Sequence, residues 1–181
     1  GGNTPTLFFD YLSNFDQQKA NKMRWDCIHF FWGDERCVPP DDKESNYGSA
    51  FQGLFSKINI PDSNIYRIEG ENDPEQEAQR YSELLKKIVE TKGGMPIFDW
   101  IFLGLGEDGH TASIFPNQLE LFTSDKICEV GVHPKTGQKR ITLTGTVLNM
   151  AKRITFMATG VSKQEVINSI INRDRSSKKY P

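Results

Sequence analysis

Apolar residues fall into two patterns along this chain. Short runs bounded by glycine, proline or charge occur at 25–32 (WDCIHFFW), 98–103 (FDWIFL), 127–132 and 153–159 (RITFMAT), with shorter ones at 64–68 and 140–143. Runs of this length predict strands, and consecutive apolar residues without alternation at 98–103 predict a strand covered on both faces, as in a parallel sheet. Elsewhere apolar residues recur at helical spacing, over 6–12, 47–58, 75–90 and 164–171. The 75–90 segment carries the clearest stripe: Ala78, Tyr81, Leu84, Leu85, Ile88 and Val89 share a face, Asp73-Pro74 opens the helix and Gly93-Gly94 closes it. Strands and helices follow one another in an α/β order, with no internal repeat or low-complexity segment.

Composition narrows the class. The 181 residues, 36% hydrophobic and 25% charged, suit one soluble domain spanning 1–181 with a sizeable core. A net charge of -2 gives no global attraction to nucleic acid or a membrane surface, so a bound anion needs a local cationic pocket. Cys27, Cys37 and Cys128 show no CxxC spacing, so neither a disulfide framework nor a zinc knuckle is expected and the compartment reads as reduced cytoplasm. No stretch reads as a membrane span or a signal peptide.

Three places carry candidate chemistry. The opening Gly1, Gly2, Asn3, Thr4 and Pro5 lead into a helix, which suits either a phosphate cradle of backbone N–H groups or a plain linker. A cradle in an α/β protein normally follows a strand, so the chain reads as lacking its first strand. The 25–32 run ends in Gly33, Asp34, Glu35 and Arg36. Arg36, read as lying on the loop after a buried strand, is a phosphate clamp or a surface partner of Asp34 or Glu35. His29, inside the run, reads as a hydrogen-bonded core histidine, and His133, in the turn-prone 133–137, as exposed.

The third place, 104–116 (GLGEDGHTASIFP), is the most informative. Gly104, Gly106 and Gly109 fit the letter of a dinucleotide fingerprint, with Glu129 about where a ribose-binding acid belongs. That reading fails because the fingerprint needs a long helix at once, and Pro116 is placed to interrupt it. Asp108 and His110 point instead to proton handling, with a neutral imidazole as general base and a carboxylate to orient it. They supply two metal ligands without a third at a supporting spacing, so no metal and no cofactor is expected.

Taken together these motifs resemble the glucosamine-6-phosphate isomerase/6-phosphogluconolactonase family, on its lactonase side. GLGEDGHTASIFP looks like the lactonase signature, and GGNTP at 1–5, WGDER at 32–36, SNY at 45–47, RITLT at 140–144 and TGVSK at 159–163 agree in order. The resemblance implies a Rossmann-like, mostly parallel sheet with helices on both faces, of the sugar-phosphate isomerase/lactonase type. It implies further strands and helices before the cradle and after Pro181, so the chain reads as truncated at both ends. It implies hydrolysis of 6-phospho-D-glucono-1,5-lactone in the oxidative pentose phosphate pathway, with a small sugar-phosphate lactone as partner and no nucleic acid or membrane. On it, His110 deprotonates the attacking water and Asp108 holds His110. Gly2, Asn3, Thr4, Arg36, Arg140 and Lys163 collect the phosphate. Asp34 and Glu35 order Arg36, and Asn46, Gly106 and Gly109 support the site. The deaminases of the family carry a glutamate relay where this chain has Phe115, which favours lactone hydrolysis over ring opening. A sugar-phosphate-binding regulator would need no poised base.

Overall fold

A computed structural model describes residues 3–17 and 23–181, with the side chains of Asn3 and Gln17 left aside. In chain order it contains α1 (Asn3–Gln17), β1 (Phe30–Phe31), β2 (Asp34–Arg36), α2 (Asn46–Gly53), β3 (Ile65–Tyr66), α3 (Pro74–Ile88), β4 (Thr91–Lys92) and β5 (Met95–Pro96). There follow β6 (Ile101–Gly104), α4 (Glu120–Thr123), β7 (Cys128–Val132), β8 (Lys139–Leu143), α5 (Gly145–Asn149), β9 (Ile154–Met157) and α6 (Gln164–Asn172). The fold is mixed α/β. β1 pairs with β3 and β6 with β9 in parallel, β2-β8-β7 form an antiparallel sheet, and β4 and β5 an antiparallel hairpin.

The predicted helices form where their caps allow. Asp73 accepts the Gln76 N–H at the start of α3, Pro74 fills the first turn, and Glu75 and Glu77 sit there while Lys86 and Lys87 occupy the last turn. Ala78, Tyr81 and Leu85 of the expected stripe are buried, whereas Ile88 is exposed. Ser45 caps α2 by accepting the Gly48 N–H.

Several strand expectations change. The 25–32 run is not one buried strand: Trp25–Cys27 is a 3-10 turn, only Phe30–Phe31 pairs, and His29 is exposed, stacked on Tyr66 at 5.8 Å rather than bonded in the core. β6 is not covered on both faces of this chain. Ile101 and Leu103 are buried, but Phe102 is 38% exposed and Phe156 of the neighbouring β9 is 58% exposed, and the outward Phe102 ring meets Phe8 and Trp100. Antiparallel pairing in β2-β8-β7 differs from the mostly parallel expectation; between β7 and β8 the turn at 133–137 is short enough to return the chain directly into its neighbour.

The core gathers Leu54, Ile68, Tyr81, Leu85, Ile114, Ile141 and Val147, each essentially inaccessible. One polar group inside it joins α3 to β3 and to the segment between β1 and β2: the Tyr81 hydroxyl accepts the Trp32 N–H at 2.8 Å and lies 3.2 and 3.3 Å from the Trp32 and Tyr66 carbonyls. Burial also pushes the Cys37 thiol up to about 11 and the Cys128 thiol up to about 12, so both stay protonated. No helix among the described residues is long and apolar enough to cross a membrane. Tyr81→Phe is expected to cost about 1–3 kcal/mol, the price of leaving a buried N–H unpaired. A denaturant melt of the full-length protein checks this, and an unchanged midpoint would show that the hydroxyl is dispensable.

Candidate active site

The turn after β6 is built around glycine. Gly106 N–H donates to the His110 carbonyl at 2.8 Å and Gly109 N–H to the Gly106 carbonyl at 3.1 Å, with Gly109 at φ +86°. A Cβ on Gly106 would overlap both the His110 ring and the Asp108 carboxylate, and one on Gly109 would overlap the Tyr180 ring. The space a side chain would take is filled by the functional pair itself. Asp108 Oδ1 lies 2.6 Å from His110 Nδ1 and also accepts the His110 backbone N–H at 3.2 Å. Partial burial opposes ionisation of Asp108, but these two bonds outweigh it and hold the carboxyl below its ordinary value. Because a carboxylate only accepts, Nδ1 carries the hydrogen and Nε2 is left with a free lone pair.

The turn is docked on the antiparallel sheet three residues later. Ser113 Oγ donates to Asp34 Oδ2 at 2.7 Å, and Ser113 N–H donates to Thr142 Oγ1 at 3.1 Å. Asp34 and Thr142 face each other in the β2-β8 register. Two residues along, on the same face by the alternation of a strand, Arg36 stands opposite Arg140. Like charges directly opposite one another are destabilising unless an anion joins them. Burial first, then the Arg36 guanidinium, lowers the Arg140 pKa, while Asp34, Glu44 and Asp108 pull the other way. Arg36 Nε and Asn46 Oδ1 are both buried without a hydrogen-bond partner. The patch therefore carries positive charge, one unpaired guanidinium N–H and one unpaired amide oxygen next to His110.

The neighbouring carboxylates are committed elsewhere. Asp34 also accepts Asn46 Nδ2, and Glu35 accepts the backbone N–H groups of Arg36, Asn46 and Tyr47 at 2.7–2.8 Å, plus the Ser45 hydroxyl at 3.2 Å. Burial raises the Glu35 pKa against the pull of those donors. So Asp34 and Glu35 do not pair with the Arg36 guanidinium, whose Nη1 donates instead to the Glu44 carbonyl, and Arg36 lies in a strand rather than a loop. Glu35 fixes the start of α2 and thereby brings Asn46 to Asp34.

Lys163 Nζ donates to the Leu105 carbonyl, on the other arm of the turn, and Thr4 Oγ1 meets Thr159 Oγ1 at 2.7 Å just past β9. Gly2 and the Asn3 side chain lie outside the described residues. The structure thus brings Asp34, Arg36, Asn46, Asp108, His110 and Arg140 together and sets Lys163 against the same turn, with Thr4 beside the end of β9. Sequence reasoning missed Ser113 and Thr142, whose signal was a buried hydroxyl in an otherwise apolar context. It also took His133 as exposed, whereas His133 is half-buried with its ring edge-on to Phe115 at 5.3 Å. Among the described residues no group of three or more His, Cys, Asp or Glu could hold a metal.

Comparison with known proteins decides the family. The model of the glucosamine-6-phosphate isomerases/6-phosphogluconolactonase family matches residues 1–181. The chain belongs to this family. Among its members, the 6-phosphogluconolactonase of Haemophilus influenzae is 42% identical over 181 residues, covering 100% of this chain and 75% of the relative. The crystal structure of the devB protein superposes with a TM-score of 0.94 at 46% identity, over 100% of this chain and 75% of that one. The 6-phosphogluconolactonase of Thermotoga maritima superposes at 0.83 with 30% identity, over 96% and 74%.

Glu35→Ala is expected to destabilise the full-length protein by about 3 kcal/mol, since it strips the acceptor from one buried and two part-buried backbone donors. Thermal melts against Glu35→Gln, which keeps one acceptor oxygen and should lose less, check this; equal melting of both variants with the wild type would contradict it.

Proposed function

We propose that the protein hydrolyses 6-phospho-D-glucono-1,5-lactone to 6-phosphogluconate in the oxidative pentose phosphate pathway, as a carboxylic ester hydrolase needing no cofactor. The observation that carries this is the Asp108–His110 pair, 2.6 Å apart, beside two arginines that face each other across the β2-β8 pair. His110 Nε2 takes a proton from water as the water oxygen attacks the lactone carbonyl carbon. Collapse of the tetrahedral intermediate breaks the bond to the ring oxygen, which leaves with the proton returned by the imidazolium. The new carboxylic acid then ionises to 6-phosphogluconate. Asp108 keeps the ring in the tautomer this requires and stabilises the imidazolium, and a base so placed contributes about a hundredfold to ten-thousandfold.

The phosphate is held by Arg36, Arg140 and Lys163, with Thr4 and the Gly2 and Asn3 of the opening motif. Anchoring the far end of the substrate sets the carbonyl at the base, a positioning effect. Asp34, Glu35, Asn46, Gly106 and Gly109 support this arrangement. Phe115 is fully buried 4.8 Å from the His110 ring, and a hydrocarbon cannot relay the proton that ring opening of an amino sugar demands. Residues 1–181 are read as one α/β domain whose parallel pairs, β1-β3 and β6-β9, belong to a Rossmann-like sheet, acting in the cytoplasm on a small molecule rather than on nucleic acid.

The test uses the full-length protein and freshly generated lactone, with acid release above the spontaneous rate recorded beside ammonia release from glucosamine 6-phosphate. Acid release alone is expected, falling at least about a hundredfold in His110→Ala. Ammonia release would assign the deaminase activity instead, and neither product would leave a sugar-phosphate-binding regulator.

A further inference from the structure

His133 opens the turn between β7 and β8, and the hairpin fixes it from both sides. Its N–H donates to the Gln138 carbonyl and its carbonyl accepts the Gly137 N–H, both at 2.9 Å, with Gly137 at φ +71°. One residue before it, Val132 is gripped by the Gln118 amide, which donates to the Val132 carbonyl at 2.6 Å and accepts the Val132 N–H at 2.9 Å. Gln118 lies just beyond the His110–Pro116 turn, so this two-point contact ties the hairpin tip to the segment carrying the proposed base.

The imidazole has a defined hydrogen position. Its Nδ1 accepts the backbone N–H groups of Lys135 at 3.3 Å and Thr136 at 3.2 Å, so the neutral ring carries its hydrogen on Nε2. Burial, then Arg140 and His110, lower its pKa, with Lys135 acting the same way and Asp108 against it. Nε2 has no protein acceptor among the described residues. The ring stands edge-on to Phe115, which also meets the His110 ring at 4.8 Å and the Arg140 guanidinium at 5.7 Å. One buried aromatic ring therefore sets three polar heads around the same space: the base, a cation and an uncharged N–H donor.

We propose that His133 is a substrate-contacting residue of this site, donating its Nε2–H to a hydroxyl or carbonyl oxygen of the sugar lactone. An uncharged donor adds little to a phosphate already met by cations, whereas a neutral sugar oxygen suits it. This rests on the lactonase reading above.

Two substitutions separate this role from a purely structural one. His133→Asn keeps an acceptor oxygen where Nδ1 bonds the turn but cannot reach the Nε2 position; His133→Gln does the reverse. In the full-length protein, His133→Asn is expected to keep the wild-type melting temperature and lose about tenfold in kcat/KM on the lactone, mostly in KM, the scale of one hydrogen bond. His133→Gln is expected to melt lower yet retain clearly more kcat/KM than His133→Asn. Wild-type kcat/KM in His133→Asn, or a loss in His133→Gln as large as in His133→Asn, overturns the proposal. A wild-type protein that does not turn over the lactone at all overturns the lactonase reading itself, before either variant is compared.

Discussion

Ser113 is gripped from two strands at once, by the Asp34 carboxylate and the Thr142 hydroxyl, and the placement of the whole site depends on that grip. The two partners face each other in an antiparallel ladder, so the turn carrying His110 is referenced to a rigid sheet rather than to its own loop. The same register fixes what lies beside it: strand alternation puts Arg36 and Arg140 on the face that holds Ser113, and Glu35 and Ile141 on the other, where one anchors α2 and the other enters the core.

The charge arrangement follows from that geometry. The carboxylates nearest the arginines are occupied by hydroxyl, amide and backbone donors, which leaves the guanidinium charge incompletely compensated. Surface ion pairs elsewhere, such as Arg67 with Glu71 or Lys152 with Asp99, show the ordinary solution for an exposed cation on this chain. Two opposed arginines and an orphaned Arg36 Nε therefore make a local cationic patch on a protein whose net charge is -2. Phe115 completes the arrangement by presenting a ring to His110, His133 and Arg140 together.

Much of this was legible in the residues, and the exceptions have physical causes. The glycines around Asp108 and His110 announced a tight turn at a strand end, because few other residues permit so close an approach. The α3 stripe and its cap were plain because helical periodicity over fifteen residues is hard to imitate. Periodicity could not show that Trp25–Cys27 would coil into a 3-10 turn, since an aromatic run of that length fits several local structures. Nor could it show that Asp34–Arg36 would pair as a strand, because three charged residues read as loop until Lys139–Leu143 is placed beside them. α4, α5 and the β4-β5 hairpin were missed because none spans more than six residues, below the length at which a repeat is visible. His133 was misread for a related reason: its burial comes from Phe115 and from the hairpin's attachment through Gln118, contacts distant in sequence.

The central claim is that Asp108 holds His110 with its hydrogen on Nδ1 and its lone pair on Nε2. Nitrogen-15 NMR of histidine-labelled full-length protein, with His110 assigned through a His110→Gln variant, tests it most directly. The account predicts a protonated, hydrogen-bonded Nδ1 and an unprotonated Nε2 in the neutral ring, with that preference lost in Asp108→Ala. A neutral ring with its hydrogen on Nε2, or a tautomer unchanged by removing Asp108, would contradict it.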